Sequence, residues 1–305
     1  MILYKDFNVD SSKKRAVTIG NFDGVHLGHK MLISKTASIA KAKGITASVI
    51  TFSEESFAKV LNLDITHITT VEEKKELMAE LGIDELFNLT FSKEFMKTTC
   101  EAYLAILKNK LSATDLILGY DAKLGCDQLE IDQIDELCKQ AGISLSVIDK
   151  IAMDGKRISS TNIRNLIKEG YVDKRLRECL GRDYSITGTV AHGKKMGKST
   201  FDMPTANLTL NFNYTIPKYG VYYCKAEVDG KIYDSAVNVG INPTIKLPEQ
   251  GFSIEVFLYN FKGDLYGKKL KIIFKKFIRP EIKFDNYEDL KIQMKKDAEN
   301  ISKLF

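Results

Sequence analysis

The stretch AVTIGNFDGVHLGH, residues 16–29, decides the fold of the first half of the chain. Its apolar, β-branched start at 16–20 predicts a buried strand. A glycine-rich turn follows, and the segment 26–43 predicts a helix that stops at Gly44. A strand that enters a helix through such a turn is the opening unit of a parallel α/β sheet.

The alternation of strands and helices continues through the first half. Further strands are predicted at 45–52, 83–91, 116–119 and 143–151, and further helices at 71–81, 99–110 and 131–141. This order implies right-handed crossovers and a parallel sheet that is covered on both faces, as in a Rossmann-like α/β domain. Ligands of such sheets bind beyond the carboxyl ends of the strands.

The pattern changes near Gly181. Two short helices, 161–169 and 172–180, lead into apolar or alternating segments that are separated by Gly, Pro, Asn and Asp. Strands are predicted at 184–191, 220–229, 231–239, 253–260 and 269–277, and a last helix at 287–303. Strands without intervening helices predict a closed antiparallel β-barrel. We therefore expect two domains, at 1–181 and 182–305.

The composition excludes several classes of protein. The chain has 305 residues, of which 44% are apolar, which is enough for two buried cores. Its net charge of +5 fits anionic small molecules and is too small to argue for nucleic acid. The five cysteines form no C-x-x-C pair, which is typical of reduced thiols in a cytoplasmic protein, and no apolar run approaches the roughly 18 residues of a membrane span. We expect a monomer or a weak oligomer, without a nucleic acid or membrane partner.

Residues 20–29 carry the first candidate site. The glycines let the backbone approach a bulky anion, and the helix N-terminus offers N–H groups and positive potential. His26 and His29 fall on the first helical turn, where imidazoles can donate hydrogen bonds to negative charge that grows on phosphate oxygens. A glycine-rich turn with two surface histidines is the alternative interpretation. A zinc site would need a Cys or carboxylate at suitable spacing, and the sequence supplies none there.

The pattern G-x-F-D-G-x-H-x-G-H resembles the signature of nucleotidylyltransferases, and in this wording that of FAD synthetases. The resemblance implies that the two histidines hold the ATP phosphates while an acceptor phosphate attacks the α-phosphorus and pyrophosphate leaves. It also matches ISSTNIR, residues 158–164, and GYDAKLG, residues 119–125, to later elements of the family. The implied nucleotide- and phosphate-binding residues are Gly20, Phe22, Asp23, Gly24, Gly28, Asp121, Ser159, Ser160 and Thr161, and the implied catalytic residues are His26, His29 and Arg164. An ordinary Ser/Thr helix cap is the alternative for 159–161.

The second candidate site begins with a basic, glycine-containing loop that leads into MPTAN, residues 203–207. Thr205 and Asn207 lie two residues apart in a strand, so their oxygens point the same way. They can share a hard cation such as Mg²⁺ with phosphate oxygens. A solvated hairpin tip is the alternative interpretation.

The order of these segments resembles riboflavin kinase, which follows FAD synthetase in bacterial bifunctional enzymes. P-T-A-N is the most specific string of that family. The resemblance implies nucleotide binding by Gly193, Lys198 and Pro204, Mg²⁺ binding by Thr205 and Asn207, flavin binding by Tyr222 and Arg279, and a general base at Glu255. A carboxylate near the ribityl hydroxyl of the flavin can take its proton as the γ-phosphoryl group transfers. A solvent-facing strand carboxylate is the alternative for Glu255.

Together, the resemblances imply an α/β nucleotidylyltransferase domain and a β-barrel kinase domain. These would convert riboflavin to FMN and FMN to FAD, with ATP as co-substrate and Mg²⁺ at both sites. Three segments depart from the family patterns: SEES at 53–56, which replaces a His-Pro pair, then 120–125, and a longer loop at 197–203. Two alternatives therefore stay open. One is a riboflavin kinase whose first domain adenylylates weakly or not at all, and the other is a non-catalytic regulator that binds flavin or nucleotide.

Overall fold

A computed structural model describes residues 1–62, 64–149, 152–153, 156–191, 206–241, 251–284 and 287–305. These residues form two compact units, Met1–Ser160 and Thr161–Phe305. Within the described ranges, no helix has the length and apolar composition that crossing a membrane requires. The domain boundary that the sequence predicts at 181/182 stays a prediction.

The first unit is built on a parallel sheet of six strands. In chain order they are β1 Ile2–Tyr4, β2 Arg15–Ile19, β3 Thr46–Phe52, β4 Glu85–Leu89, β5 Ala113–Gly119 and β6 Ser144–Ile148. Their order across the sheet is β1-β4-β3-β2-β5-β6, and each neighbouring pair is parallel. The helices are α1 Leu27–Lys43, α2 Glu54–Leu61, α3 Val71–Glu80, α4 Cys100–Leu111 and α5 Ile131–Ala141. This confirms the predicted α/β sheet.

Helices cover both faces of the sheet. Leu116 of β5 packs in one buried cluster with residues of α4 and α5, whereas its neighbour Ile117 packs in a second cluster with residues of α1 and α3. Successive side chains of a strand point to opposite faces, so the two clusters lie on opposite sides of the sheet. Burial on both faces explains why Leu116, Ile117 and Leu118 of β5 are apolar in succession rather than in alternation.

The structure adds elements to the first unit that the sequence pattern does not predict, among them β1 and α2. The strand β1 has only three residues, too few for a periodic signal, and it pairs with β4. The helix α2 begins directly after β3, where Ser53 accepts a hydrogen bond from the Ser56 N–H and two glutamates occupy the first turn. The segment 53–56, which departs from the family pattern, is therefore a helix start.

The second unit contains a closed antiparallel barrel. Its strands are β9 Ser185–Ala191, β10 Ala206–Thr209, β11 Gly220–Val228, β12 Lys231–Gly240, β13 Ser253–Leu258 and β14 Lys269–Pro280. Their order around the barrel is β10-β13-β12-β11-β14-β9. The two strands numbered before them, β7 Ala152–Met153 and β8 Lys156–Arg157, form a separate ribbon in the first unit. The predicted barrel is confirmed, and β10, which carries Asn207, joins the five strands predicted from periodicity.

Three helices accompany the barrel: α6 Ser160–Glu169, α7 Lys174–Leu180 and α8 Tyr287–Ser302. The Lys218 N–H donates to the Ile167 carbonyl at 3.3 Å, so the end of α6 contacts the segment before β11. Ile301 of α8 is fully buried against Val221 and Tyr223 of β11. The last helix therefore covers part of the outer face of the barrel.

Candidate active sites

The turn between β2 and α1 has an unusual backbone. Phe22 and Val25 have φ angles of 48° and 39°, and Gly24 has a φ of 82°. Bulky and β-branched residues avoid this region, and each such residue costs about 1–3 kcal/mol unless its surroundings hold it there. A Cβ atom on Gly24 would lie 3.0 Å from Ile68 Cδ1, so this position needs glycine for space as well as for conformation.

Contacts from distant segments hold this turn. The Asp23 carboxylate accepts hydrogen bonds from the Ile68 and Thr69 N–H groups at 2.8 and 3.2 Å, and the Gly24 N–H donates to Thr69 Oγ1 at 2.9 Å. The Ser160 hydroxyl donates to the Asp23 carbonyl at 2.8 Å. The structure thus brings together two predicted phosphate-binding elements, the glycine-rich turn and the serine at the start of α6.

His26 is the N-cap of α1. Its Nδ1 accepts a hydrogen bond from the His29 N–H at 3.3 Å. An accepting Nδ1 leaves the proton of the neutral ring on Nε2, the nitrogen that can then donate to a phosphate oxygen. A Cβ atom on Gly28 would lie 3.1 Å from His26 Cε1, so glycine at 28 lets the ring occupy this position.

His29 lies against His26 in the first turn of α1. The two rings stack with centroids 3.6 Å apart, and Phe22 contacts the His29 ring edge-on at 5.2 Å. Burial, followed by the nearby His26 and Lys74, holds the pKa of His29 well below its usual 6.5. Among the described residues, the buried His29 Nδ1 has no hydrogen-bond partner. With no acidic residue in the first turn of α1, the helix N-terminus, the His26 imidazole and the neutral His29 imidazole suit a phosphate.

Lys74 is a residue of this site that the sequence analysis missed. The residue is 1% exposed, and its ammonium donates to the Asn21 carbonyl at 2.9 Å and to Glu54 Oε1 at 2.5 Å. The sequence does contain a signal that Lys74 is buried: it lies three residues after Val71 and four before the buried Met78, on the apolar face of α3. A lysine on such a face needs an anionic or carbonyl partner.

The other residues predicted for the first site lie close in the chain to these elements. Asp121 is exposed in the turn after β5, the strand next to β2. The carboxyl ends of parallel neighbours share one edge of a sheet, which is the edge of the glycine-rich turn. Ser159 precedes α6, and Thr161 and Arg164 lie on that helix within the second unit. Their binding and catalytic roles stay predictions.

A cross-strand row on the barrel carries the residues of the second site. Glu255 pairs in register with Asn207 on one side and with Asn238 on the other. Asn238 pairs with Val221, and Val221 pairs with Arg279. Directly opposite residues of antiparallel strands point to the same face and lie about 4.5–5.5 Å apart. The register therefore places the predicted base, a predicted metal ligand and a predicted flavin-binding residue in one row.

The row lies on the outer face of the barrel. Ile254 and Val256, which flank Glu255 in β13, are fully buried, whereas Glu255 is partly exposed. Alternation along the strand therefore points Glu255 away from the barrel interior. Asn238, which the sequence analysis did not select, shares this face and adds an amide next to the carboxylate.

Asn207 has the chemistry of a ligand for a hard cation. Its Oδ1 is buried and has no hydrogen-bond partner among the described residues, and the Glu255 carboxylate is its neighbour in the row. In the described part of the chain, no three His, Cys, Asp or Glu side chains cluster as a metal site. Mg²⁺ commonly takes one or two protein oxygens and completes its shell with water and substrate phosphates, so the residues present fit it. The predicted Gly193, Lys198, Pro204 and Thr205 lie outside the described residues.

The two predicted flavin-binding residues have different surroundings. Arg279 forms a bidentate ion pair with Asp297 of α8, with an Nε–Oδ1 distance of 3.0 Å, and Gln293 also donates to Asp297. Tyr222 is fully buried, packs edge-on against Phe274 and Phe277, and donates its hydroxyl to the Lys218 carbonyl. Tyr222 therefore packs in the barrel core, and a direct contact with flavin stays a prediction for both residues.

Comparisons with known proteins match two separate parts of the chain to two families. A FAD synthetase family model matches residues 8–162, and a riboflavin kinase family model matches residues 180–305. The bifunctional riboflavin kinase/FMN adenylyltransferase of Listeria monocytogenes is 34% identical over 295 residues, covering 95% of this chain and 92% of that protein. The protein of the same name from Bacillus subtilis is 35% identical over 304 residues, covering 97% and 94%. A solved structure from Streptococcus pneumoniae, described as a macrolide-efflux protein, covers 98% of this chain and 97% of its own, with a TM-score of 0.84 and 27% identity.

Proposed function

Because the chain belongs to the family of bifunctional riboflavin kinases/FMN adenylyltransferases, we propose that it phosphorylates riboflavin to FMN and then adenylylates FMN to FAD. The observation that carries this proposal is that each half holds its own cluster of polar groups suited to a phosphate or its metal ion: the histidine-bearing turn in the first unit and the cross-strand row in the second. The transport activity in the name of the Streptococcus pneumoniae structure is not proposed for this chain, since both family models and the curated relatives are named for flavin enzymes.

In the first unit, the reaction is adenylyl transfer. A phosphate oxygen of FMN forms a bond to the α-phosphorus of ATP, the bond from that phosphorus to the α–β bridging oxygen breaks, and pyrophosphate leaves with the electron pair. Negative charge grows on the phosphate oxygens during this step. The Nε2–H of His26, the neutral imidazole of His29 and the N-terminus of α1 would stabilise that charge with preorganised dipoles.

In the second unit, the reaction is phosphoryl transfer. The ribityl hydroxyl oxygen of riboflavin forms a bond to the γ-phosphorus, the bond to the β–γ bridging oxygen breaks, and ADP leaves. Glu255 would accept the hydroxyl proton, and Asn207 would contribute one oxygen to a Mg²⁺ ion that arrives with the nucleotide. Bound Mg²⁺ would neutralise triphosphate charge at each site. We also infer a location in the cytoplasm, where flavin cofactors are used.

The experiment that tests the proposal incubates the full chain with riboflavin, ATP and Mg²⁺ and separates the flavins by chromatography. We expect FMN to appear first and FAD to follow. A second incubation supplies FMN in place of riboflavin, so that adenylyl transfer is measured without the kinase step. FMN without FAD in both incubations would select the kinase-only alternative, and no product would favour the non-catalytic binding protein.

A further inference from the structure

Lys74 connects three elements of the first unit through one buried charge. Its ammonium contacts the carbonyl of Asn21 in the histidine-bearing turn and the carboxylate of Glu54 on α2, while its backbone lies on α3. A capping box of Thr70 and Glu73 fixes the start of α3, and Glu73 directly precedes Lys74. The ammonium is therefore carried by a helix with a fixed start, and it contacts the turn through the Asn21 carbonyl.

Stability alone is a weak reason for this ion pair. The Lys74 side chain is 2% exposed and the Glu54 side chain 13%. Removing two such charges from water is costly, and replacing a buried pair with uncharged residues is often neutral or stabilising. The contact with Asn21 gives a better reason, because the next residue, Phe22, has the positive φ that the turn must maintain.

The Asn21 carbonyl is held by two donors. The Thr51 hydroxyl donates to it at 3.1 Å, and the Lys74 ammonium donates to it at 2.9 Å. A carbonyl bound from two sides cannot rotate without losing a charge-assisted hydrogen bond, which is stronger than a neutral one. The peptide plane at the start of the turn is therefore fixed.

We propose that Lys74 is a positioning residue for adenylyl transfer: its buried ammonium fixes the Asn21 carbonyl and thereby the turn that carries His26 and His29. This inference rests on the proposed function of the first unit. Lys74 also places a positive charge near His29. With burial and His26, that charge lowers the pKa of His29 and keeps its ring neutral, and Glu54 is the carboxylate that balances the ammonium.

The test uses the full chain and two variants, Lys74→Met and the double variant Lys74→Met/Glu54→Gln. The double variant removes both charges, so it separates the cost of an unpaired buried carboxylate from the loss of positioning. We expect kcat for FAD formation from FMN to fall by about 10- to 100-fold in both variants, because small misplacements of catalytic groups cost about this much. FMN formation from riboflavin should stay unchanged.

A second measurement follows the His29 imidazole by NMR. The chain has only four histidines, so the signals can be assigned by substitution. The pKa of His29 should rise in the double variant, because the positive charge near it is gone. Lys43→Met is the matched control: Lys43 pairs with Asp115 at 2.6 Å, at the opposite end of α1 from the histidines. That variant should leave both kcat and the pKa of His29 unchanged.

A double variant with the kcat of the wild-type chain would overturn the proposal, and so would loss of folding of the first unit in both Lys74 variants, which would assign Lys74 to stability. An unchanged pKa of His29 in a folded double variant would also overturn it. If the wild-type chain itself makes no FAD, the proposed function fails. The NMR titration then still decides whether Lys74 acts on the histidine-bearing turn.

Discussion

The Glu255→Gln variant separates proton transfer from binding at the barrel site. Glutamine has nearly the same volume and can still form hydrogen bonds, so we expect a change in stability below about 1.5 kcal/mol. It cannot take the hydroxyl proton as a carboxylate does. Loss of a general base commonly costs about 10²–10⁴-fold, or about 2.7–5.5 kcal/mol of activation free energy. The rate of FMN formation at saturating riboflavin and ATP should fall by this factor.

The controls for this variant distinguish three explanations. Riboflavin and ADP binding, measured by calorimetry, should stay near normal, and FAD formation from supplied FMN should persist. Glu227→Gln changes a half-exposed glutamate of β11 that pairs with Ile232 and Lys271, outside the row, and it should keep full kinase activity. If Glu255→Gln keeps most of the kinase rate, the base assignment is wrong. Loss of binding together with turnover would instead place Glu255 in ligand holding.

Three further outcomes are expected. His29→Ala should lower FAD formation by about 10²–10³-fold and leave FMN formation nearly unchanged, in separate assays of the two reactions. A fragment of residues 182–305 should make FMN from riboflavin, and a folded fragment that binds neither ADP nor riboflavin would refute the boundary or the kinase assignment. A longer fragment of residues 161–305 should unfold at a higher temperature than the 182–305 fragment, because it keeps the fully buried Leu176 and Leu180. The pKa of His29 is depressed in the folded chain, so only the unfolded chain protonates this imidazole as the pH falls through 6.5. The free energy of unfolding should therefore fall by up to about 1.4 kcal/mol between pH 7.5 and 5.5. His29→Gln should lack this part of the loss in urea unfolding, and an equal loss in both proteins would contradict the buried neutral imidazole.

Most of the fold is predictable from local sequence patterns. The strand–helix alternation predicts the parallel sheet, and the strands after Gly181 predict the barrel, because long periodic segments report burial directly. The pattern fails where an element is stabilised by distant contacts instead of by its own periodicity. Ile2–Tyr4 is a strand because Glu85–Leu89 lies beside it, which local sequence cannot reveal. Ala206–Thr209 is likewise a short strand defined by its two barrel neighbours.

The candidate sites are also only partly predictable from local sequence. The motifs identify His26, His29 and Glu255, and the family to which they point is confirmed by the family models and the curated relatives. The contacts between these residues and the rest of the chain depend on tertiary structure. Lys74 reaches Asn21 and Glu54 from a third element, so no spacing in the sequence indicates the contact. The place of Asn238 beside Glu255 depends on strand register, which a single sequence leaves undefined.

The row on the barrel also restricts how this half of the protein can diverge. Removing one residue from β13 before Glu255 would turn the carboxylate into the barrel interior and bring an apolar neighbour to the outer face, because side chains alternate with a period of two. One deletion would thus remove the carboxylate from the row and place a charge in the core at the same time. Insertions and deletions should therefore accumulate in the hairpins between strands, while the strands themselves change only by substitution.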